Sequence, residues 1–285
     1  MRSPRSGHVR AAAITAALLL RASPALATNP RAETVSRALP SAVRLELRAR
    51  GGEVVRSASG VVFAVEGGRS YLLTNAHVVH PDRSWPAGVR VHVLASTGEA
   101  DATVLAQGSG SEDDLAVLEV PGVFPVSPLA PDGVLDLGDD LVVIGAPFGK
   151  GLSVAAGIVS QVEYEPVENA AAPRRPRALK TDAAIGYGSS GGGVFGVPGG
   201  RLIGLVEGYR TARVSLGKDV GSFIDVPMPG ETFVAPASRI RRFLAEHGLS
   251  RLAGPPAVAT PAPALRGLPG GAGAAATPAS AALPL

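Results

Sequence analysis

Three short segments of this chain hold the residue types that nucleophilic catalysis requires. The first is Thr74-Asn75-Ala76-His77-Val78-Val79, which sets a histidine where a β-rich run gives way to a loop. The second is Ser111-Glu112-Asp113-Asp114-Leu115-Ala116, an acidic turn feeding an apolar strand. The third is Gly186-Tyr187-Gly188-Ser189-Ser190-Gly191-Gly192-Gly193, a serine within a dense glycine cluster. Singly, each has an ordinary explanation: a partly buried polar histidine, a routine turn aspartate, a flexible or phosphate-cradling loop. No lysine follows the glycines as a Walker-type loop demands. Together they form a set. A serine hydroxyl needs a base to take its proton, and a histidine base needs a carboxylate to fix its tautomer and stabilise the imidazolium. Glycines let backbone N–H groups converge on the point where negative charge develops. The chemistry read from these residues is acyl transfer, with Ser190 as nucleophile, His77 as base and Asp114 as orienting carboxylate.

The elements that would position them are short strands. Residues 43–47, 54–55, 60–65, 71–74, 89–94 and 115–120 are β-rich and separated by turn residues. After a Pro/Gly-rich connection at 121–138, a second block follows at 141–145, 153–162, 179–183, 192–197, 202–206 and 232–235. No long amphipathic helix intervenes, which argues against a parallel α/β sheet. One helix is predicted over 238–247, with Ser238 as its cap and Ile240, Phe243 and Leu244 as its apolar stripe. The expected fold class is therefore all-β, in two halves of similar size at about 34–125 and 135–250. His77 and Asp114 fall in the first half and Ser190 in the second, so the site is expected in the cleft between them.

Composition sets the boundaries. At 285 residues and 46% hydrophobic, the chain can fill a real core. Residues 1–27 read as an export signal: Arg2, Arg5 and Arg10 precede an apolar run at 11–20, and Ala25-Leu26-Ala27 offers a cleavage site. That segment holds four of the 27 basic residues and none of the 24 acidic ones, so the chain from residue 28 onward is near neutral. Nucleic-acid binding has no basic surface to rest on. The signal run is too short for a stable membrane anchor, and in the low-complexity tail at 251–285 Pro and Gly interrupt every apolar stretch. With no cysteine there are no disulfides, no thiol nucleophile and no cysteine metal site. Neither a metal nor another cofactor is expected. An exported chain without disulfides points to a bacterial periplasmic or secreted protein.

Two rival readings exist. Gly188-Ser189-Ser190-Gly191-Gly192 also satisfies the G-x-S-x-G pattern of α/β-hydrolase esterases, with Asp219 or Asp225 and then His247 in the right order. That motif needs a helix directly after the serine, which Gly191-Gly192-Gly193 could not sustain. The other rival is a catalytically silent scaffold that binds unfolded proteins. The presence of all three candidate catalytic residues argues against it.

The chain resembles the HtrA/Deg group of trypsin-like serine proteases. TNAHVV at 74–79, DLAVLEV at 114–120, LGDDLVVIGAPFG at 137–149 with GIVSQV at 157–162, and TDAAIGYGSSGGGVF at 181–195 carry the resemblance, and FVAPASRIRRFL at 233–244 closes it. It implies two six-stranded antiparallel β-barrels of the chymotrypsin-like kind with a short C-terminal helix. By the same resemblance His77, Asp114 and Ser190 form the triad, and the N–H groups of Gly188 and Ser190 form the oxyanion hole. Ser189 and Gly193 depart from the Asn or Asp and the Pro common at those positions. The substrate pocket implied has Ala184 at its base, which favours a small or medium aliphatic residue before the scissile bond. Glu207 stands where a small hydroxyl residue is usual, and is expected either to perturb Asp114 or to favour a basic substrate. The implied partners are protein or peptide substrates, with a homotrimer, as relatives form, left open. The residues after Leu244 leave no room for the PDZ domains that many relatives carry.

Overall fold

The computed structural model describes residues 29–80, 88–109, 113–131, 135–166, 174–215 and 223–254. The expected signal at 1–27 and nearly all of the expected tail lie outside the described residues. Twelve strands close into two six-stranded antiparallel barrels. The first contains β1 (Ala42–Arg48), β2 (Val54–Glu66), β3 (Arg69–Thr74), β4 (Arg90–Ala95), β5 (Gly98–Gln107) and β6 (Ala116–Pro121), in the order β1-β2-β3-β6-β5-β4. The second contains β7 (Asp140–Gly145), β8 (Ser153–Pro166), β9 (Arg174–Thr181), β10 (Gly193–Gly196), β11 (Leu202–Ser215) and β12 (Phe223–Pro236), in the order β10-β11-β12-β9-β8-β7. Closure pairs every strand on both sides and so removes the exposed edges that would otherwise invite aggregation.

The two barrels are held together by strands whose faces serve different cores. In β7, Leu141 and Val143 point into the second barrel, while Val142 and Ile144 join a separate cluster with Leu73, Val117, Phe195 and Phe243. In β3 and β6, Leu72 and Leu118 fill the first barrel, whereas Leu73 and Val117 enter that shared cluster. A strand buried on both faces needs no polar alternation, which is why LVVIG and LAVL read as continuous apolar runs. The connection between the barrels is itself packed: Ser127 N–H donates to the Val62 carbonyl at 3.0 Å, and Ala130 N–H to that of Leu202 at 2.8 Å.

Four sequence expectations need correction. A helix missed by periodicity, α1 (Pro30–Ala38), opens the described chain. Its signal was local: the Asn29 side chain accepts from the N–H groups of Arg31 and Ala32, and Pro30 occupies the first turn, where no N–H is needed. Strand β5 was also missed, because most of its residues are not buried and its Gly-Glu-Ala-Asp start carries no apolar alternation. The expected C-terminal helix is present as Ala237–Glu246, here α3, but Ser238 does not cap it. The Ser238 hydroxyl instead donates to the Pro176 carbonyl, pinning the helix to β9. The packed chain also passes residue 250, since Leu252 is buried in a short turn at Ser250–Ala253. Among the described residues, no helix is long and apolar enough to cross a membrane.

Candidate active site

His77 lies in α2 (Ala76–Val79), a single turn that follows β3. Asp114 lies just before β6, the strand paired with β3, so the barrel register brings the two segments side by side. Asp114 grips the histidine twice: Oδ1 accepts the His77 backbone N–H at 2.8 Å, and Oδ2 contacts the ring Nδ1 at 2.6 Å. Asn75 secures the other side by donating its side-chain amide to the Asp114 carbonyl at 2.9 Å. An ionised carboxylate can only accept, so Nδ1 carries the proton and the neutral ring keeps its lone pair on Nε2. That nitrogen is buried and makes no hydrogen bond within the protein.

Ser190 comes from the second barrel, in the turn before β10. The turn is stitched to β11, with Gly191 N–H donating to the Val206 carbonyl and Val206 N–H to that of Gly192. It is stitched to the first barrel through Ser59 of β2, whose N–H donates to the Ser190 carbonyl at 3.0 Å. The Ser59 hydroxyl also donates to the Gly188 carbonyl at 2.6 Å and accepts the Ala146 N–H at 2.7 Å. Sequence reasoning missed Ser59. Its partners lie far along the chain, and no local pattern separates it from other small strand residues. Losing this hydroxyl would strand one N–H and one carbonyl. Ser59→Ala is therefore expected to cost about 2–4 kcal/mol of stability, measured by urea unfolding, and to loosen the Gly188 peptide.

The Tyr187 carbonyl accepts the Phe148 N–H at 2.6 Å. In a trans peptide the C=O and N–H point in opposite directions, so the Gly188 N–H faces away from the 146–149 segment. Among the described residues, neither the Gly188 nor the Ser190 N–H donates to a protein acceptor. Gly188 holds φ at +86°, and Gly191 holds it at +80°, a region that other residues enter only with strain. At Gly191 an added Cβ would also overlap the Ser59 carbonyl and the Thr74 hydroxyl. Gly191→Ala should consequently destabilise the fold by about 3 kcal/mol or more, read as a lowered urea midpoint.

His77, Gly188 and Ser190 line one cavity of about 310 Å³, together with Arg56, Ser57, Ala58, Val78, Phe148 and Tyr187. Phe148 itself has φ of +55°, the only described non-glycine residue with a positive value, and it is largely exposed at the cavity rim. Residues from both barrels thus meet in one cleft.

Residues 58–205 match the family described as the trypsin-like peptidase domain. The chain belongs to this family. It is 35% identical over 154 residues to a protein named serine protease Do-like HtrA from Bacillus subtilis, covering 52% of this chain and 32% of that protein. It is 30% identical over 232 residues to human serine protease HTRA3, covering 79% of this chain and 46% of the relative. The trypsin-like chain therefore spans less than half the length of either. Among solved structures, a serine endoprotease from Yersinia pestis superposes with a TM-score of 0.55 at 26% identity, covering 79% of this chain and 67% of that one.

In this trypsin-like domain His77 and Ser190 line the same cavity, whereas the two expected pocket residues lie elsewhere. Ala184 is exposed and does not line the cavity, and neither does Glu207. Glu207 is tied to Arg239, whose two terminal guanidinium nitrogens both reach its carboxylate. Its charge is thereby neutralised within the protein rather than offered to a basic substrate. Burial pushes the Glu207 carboxyl above its ordinary range, opposed by Arg239 and reinforced by the neighbouring charge of Asp114. The rival esterase set is not assembled: Asp225 pairs with Arg213, His247 packs against Phe243, and Asp219 lies outside the described residues. Among the described residues no three metal-ligating side chains cluster.

Proposed function

We propose that this chain is a serine endopeptidase using His77, Asp114 and Ser190. The observation that carries the reading is the twofold grip of Asp114 on His77, which leaves the buried Nε2 uncommitted in the cavity that Ser190 also lines. His77 accepts the Ser190 proton through Nε2 as Oγ attacks a peptide carbonyl. The imidazolium then returns that proton to the leaving amine. Water, deprotonated by the same nitrogen, hydrolyses the acyl-enzyme, while Asp114 stays ionised throughout. The tetrahedral oxyanion is received by the N–H groups of Gly188 and Ser190, donors fixed before the reaction begins.

The substrate class that fits is unfolded or damaged protein, and the place is the bacterial cell envelope or beyond, reached through the signal read at 1–27. The first support is the likeness to the HtrA proteases, and the second is the open cleft between the barrels. A small or medium aliphatic residue before the scissile bond is the preference that the likeness to the HtrA proteases suggests, and Glu207, already occupied by Arg239, offers no free charge to a basic side chain.

The test is to incubate the mature chain with an unfolded protein and, separately, with a fluorophosphonate probe, then sequence the cleavage sites and the labelled peptide. Labelling is expected at Ser190, and cleavage is expected after small or medium aliphatic residues. Labelling of another serine, or cleavage that survives in Ser190→Ala, would overturn the assignment.

A further inference from the structure

Phe148 is held in a conformation that a bulky side chain does not favour. With φ of +55° and ψ of 16° it occupies the left-handed region, where such a residue is a true outlier. Its turn is fixed from several sides. Phe148 N–H donates to the Tyr187 carbonyl at 2.6 Å, Gly149 N–H to that of Ala146 at 3.0 Å, and the Arg44 guanidinium of β1 to that of Gly149 at 2.6 Å. Strain of this kind persists only where the surroundings dictate it, and it gathers at functional sites. Burial does not account for the phenyl ring, because the residue is 68% exposed. Glycine or asparagine would adopt the same backbone with less strain.

The cavity supplies a reason for the ring. One edge of it rests against Gly186, where an added Cβ would stand 3.4 Å from the ring. Phe148 also lines the cavity that holds His77 and Ser190, together with Ala58, Val78 and Tyr187, so much of the wall is apolar or aromatic. Arg56 lines it too, with its guanidinium turned to the His77 carbonyl, to which it donates at 2.7 Å. At about 310 Å³ the cavity reaches the lower end of the range that admits whole small ligands, so a large side chain fits.

The mechanism places this cavity relative to the scissile bond. His77 must pass its proton to the leaving amine, so the residue that follows the bond lies over the histidine. Ala184 and Glu207, expected to meet the residue before the bond, do not line the cavity.

We propose that Phe148 is a specificity-determining residue: its ring, held at the cavity by a strained turn, receives an aromatic or branched aliphatic side chain on the residue after the scissile bond. This inference deepens the proposed endopeptidase reading and rests on it.

The experiment digests a peptide library, randomised on both sides of the cleaved bond, with the full chain as wild type, Phe148→Gly and Phe148→Asn. Matched peptides that differ only in the residue after the bond then give kcat/KM. Wild type is expected to prefer phenylalanine or leucine to glycine there by about thirtyfold, falling to about threefold in both variants. The ranking of residues before the bond is expected to persist, since the Phe148 N–H that orients the Gly188 peptide is present in all three chains. A variant profile identical to wild type, with only a lowered urea midpoint, would show a merely structural ring and overturn the inference. A wild-type preference for acidic residues after the bond would assign the cavity to Arg56 and overturn it as well. If Phe148→Gly does not fold, Phe148→Asn, which adds no glycine freedom to the unfolded chain, gives the same reading. A wild-type chain that cleaves no peptide and takes up no fluorophosphonate overturns the proposed activity, whereas one that cleaves regardless of the residue after the bond overturns the role of Phe148 alone.

Discussion

Ser190→Ala is expected to lower kcat for peptide hydrolysis about a million-fold, with the fold unchanged. Removing the nucleophile closes the acyl-enzyme route. What remains is the N–H pair of Gly188 and Ser190 and the binding cleft, which can still assist direct attack by water. The backbone bonds that fix the turn, from Ser59 N–H to the Ser190 carbonyl and from Gly191 N–H to that of Val206, do not involve the lost hydroxyl. Urea unfolding should therefore shift by less than about 1 kcal/mol. His77→Ala should cost a similar factor, and the double variant scarcely more, because proton acceptor and nucleophile act as one unit. Steady-state cleavage of a fluorogenic peptide identified from the cleavage sites provides the measurement. Losses that multiply in the double variant would show that the two residues act independently.

Asp114→Asn should have the next largest effect, a fall of about ten-thousand-fold in kcat. The reason lies in the two contacts that one carboxylate makes. Oδ1 accepts the His77 N–H and Oδ2 faces ring Nδ1. An amide has one oxygen and one NH₂ group. If its oxygen keeps the backbone N–H, its NH₂ meets Nδ1 and forces the proton onto Nε2, the nitrogen that must accept from Ser190. If the amide turns over, the backbone N–H loses its acceptor and faces a second donor. Either way the base is in the wrong state, although shape and burial barely change. Fluorophosphonate labelling should slow in step with cleavage, since both need the same proton transfer. A variant that retains most of the wild-type rate would remove Asp114 from the proposed mechanism.

Much of this was legible because the relevant signals are local. TNAHVV ends a strand in a single turn, GYGSSGGG can adopt the positive φ values found at Gly188 and Gly191, and the β-rich runs mark the positions of eleven of the twelve strands directly. Strands 54–55 and 60–65, read separately, are one long β2, because neither turn residues nor an unpaired segment interrupts the ladder at Arg56–Ser59. What escaped notice depended on long-range contacts. Ser59 is an unremarkable strand residue until Gly188 and Ala146 arrive from the other barrel. Arg239 is one of many arginines until α3 folds against β11 and presents it to Glu207. Ala184, expected at the base of a pocket, is exposed in the segment ahead of the turn, since spacing from Ser190 fixes a position in the chain but not the direction in which a loop runs.

The sequence by itself determined the all-β class, the division into two halves and the three candidate catalytic residues, because strand period, turn chemistry and the demands of a serine nucleophile are all written in neighbouring residues. Only the tertiary structure decided which groups share a cleft. Barrel closure set Asp114 against both the ring and the backbone of His77, the Ser59 hydroxyl tied the Ser190 turn to the opposite barrel, and a bulge in β11 turned Glu207 toward Arg239 rather than toward the cavity. Those arrangements depend on register and on contacts between segments far apart in the chain, and no local pattern encodes either.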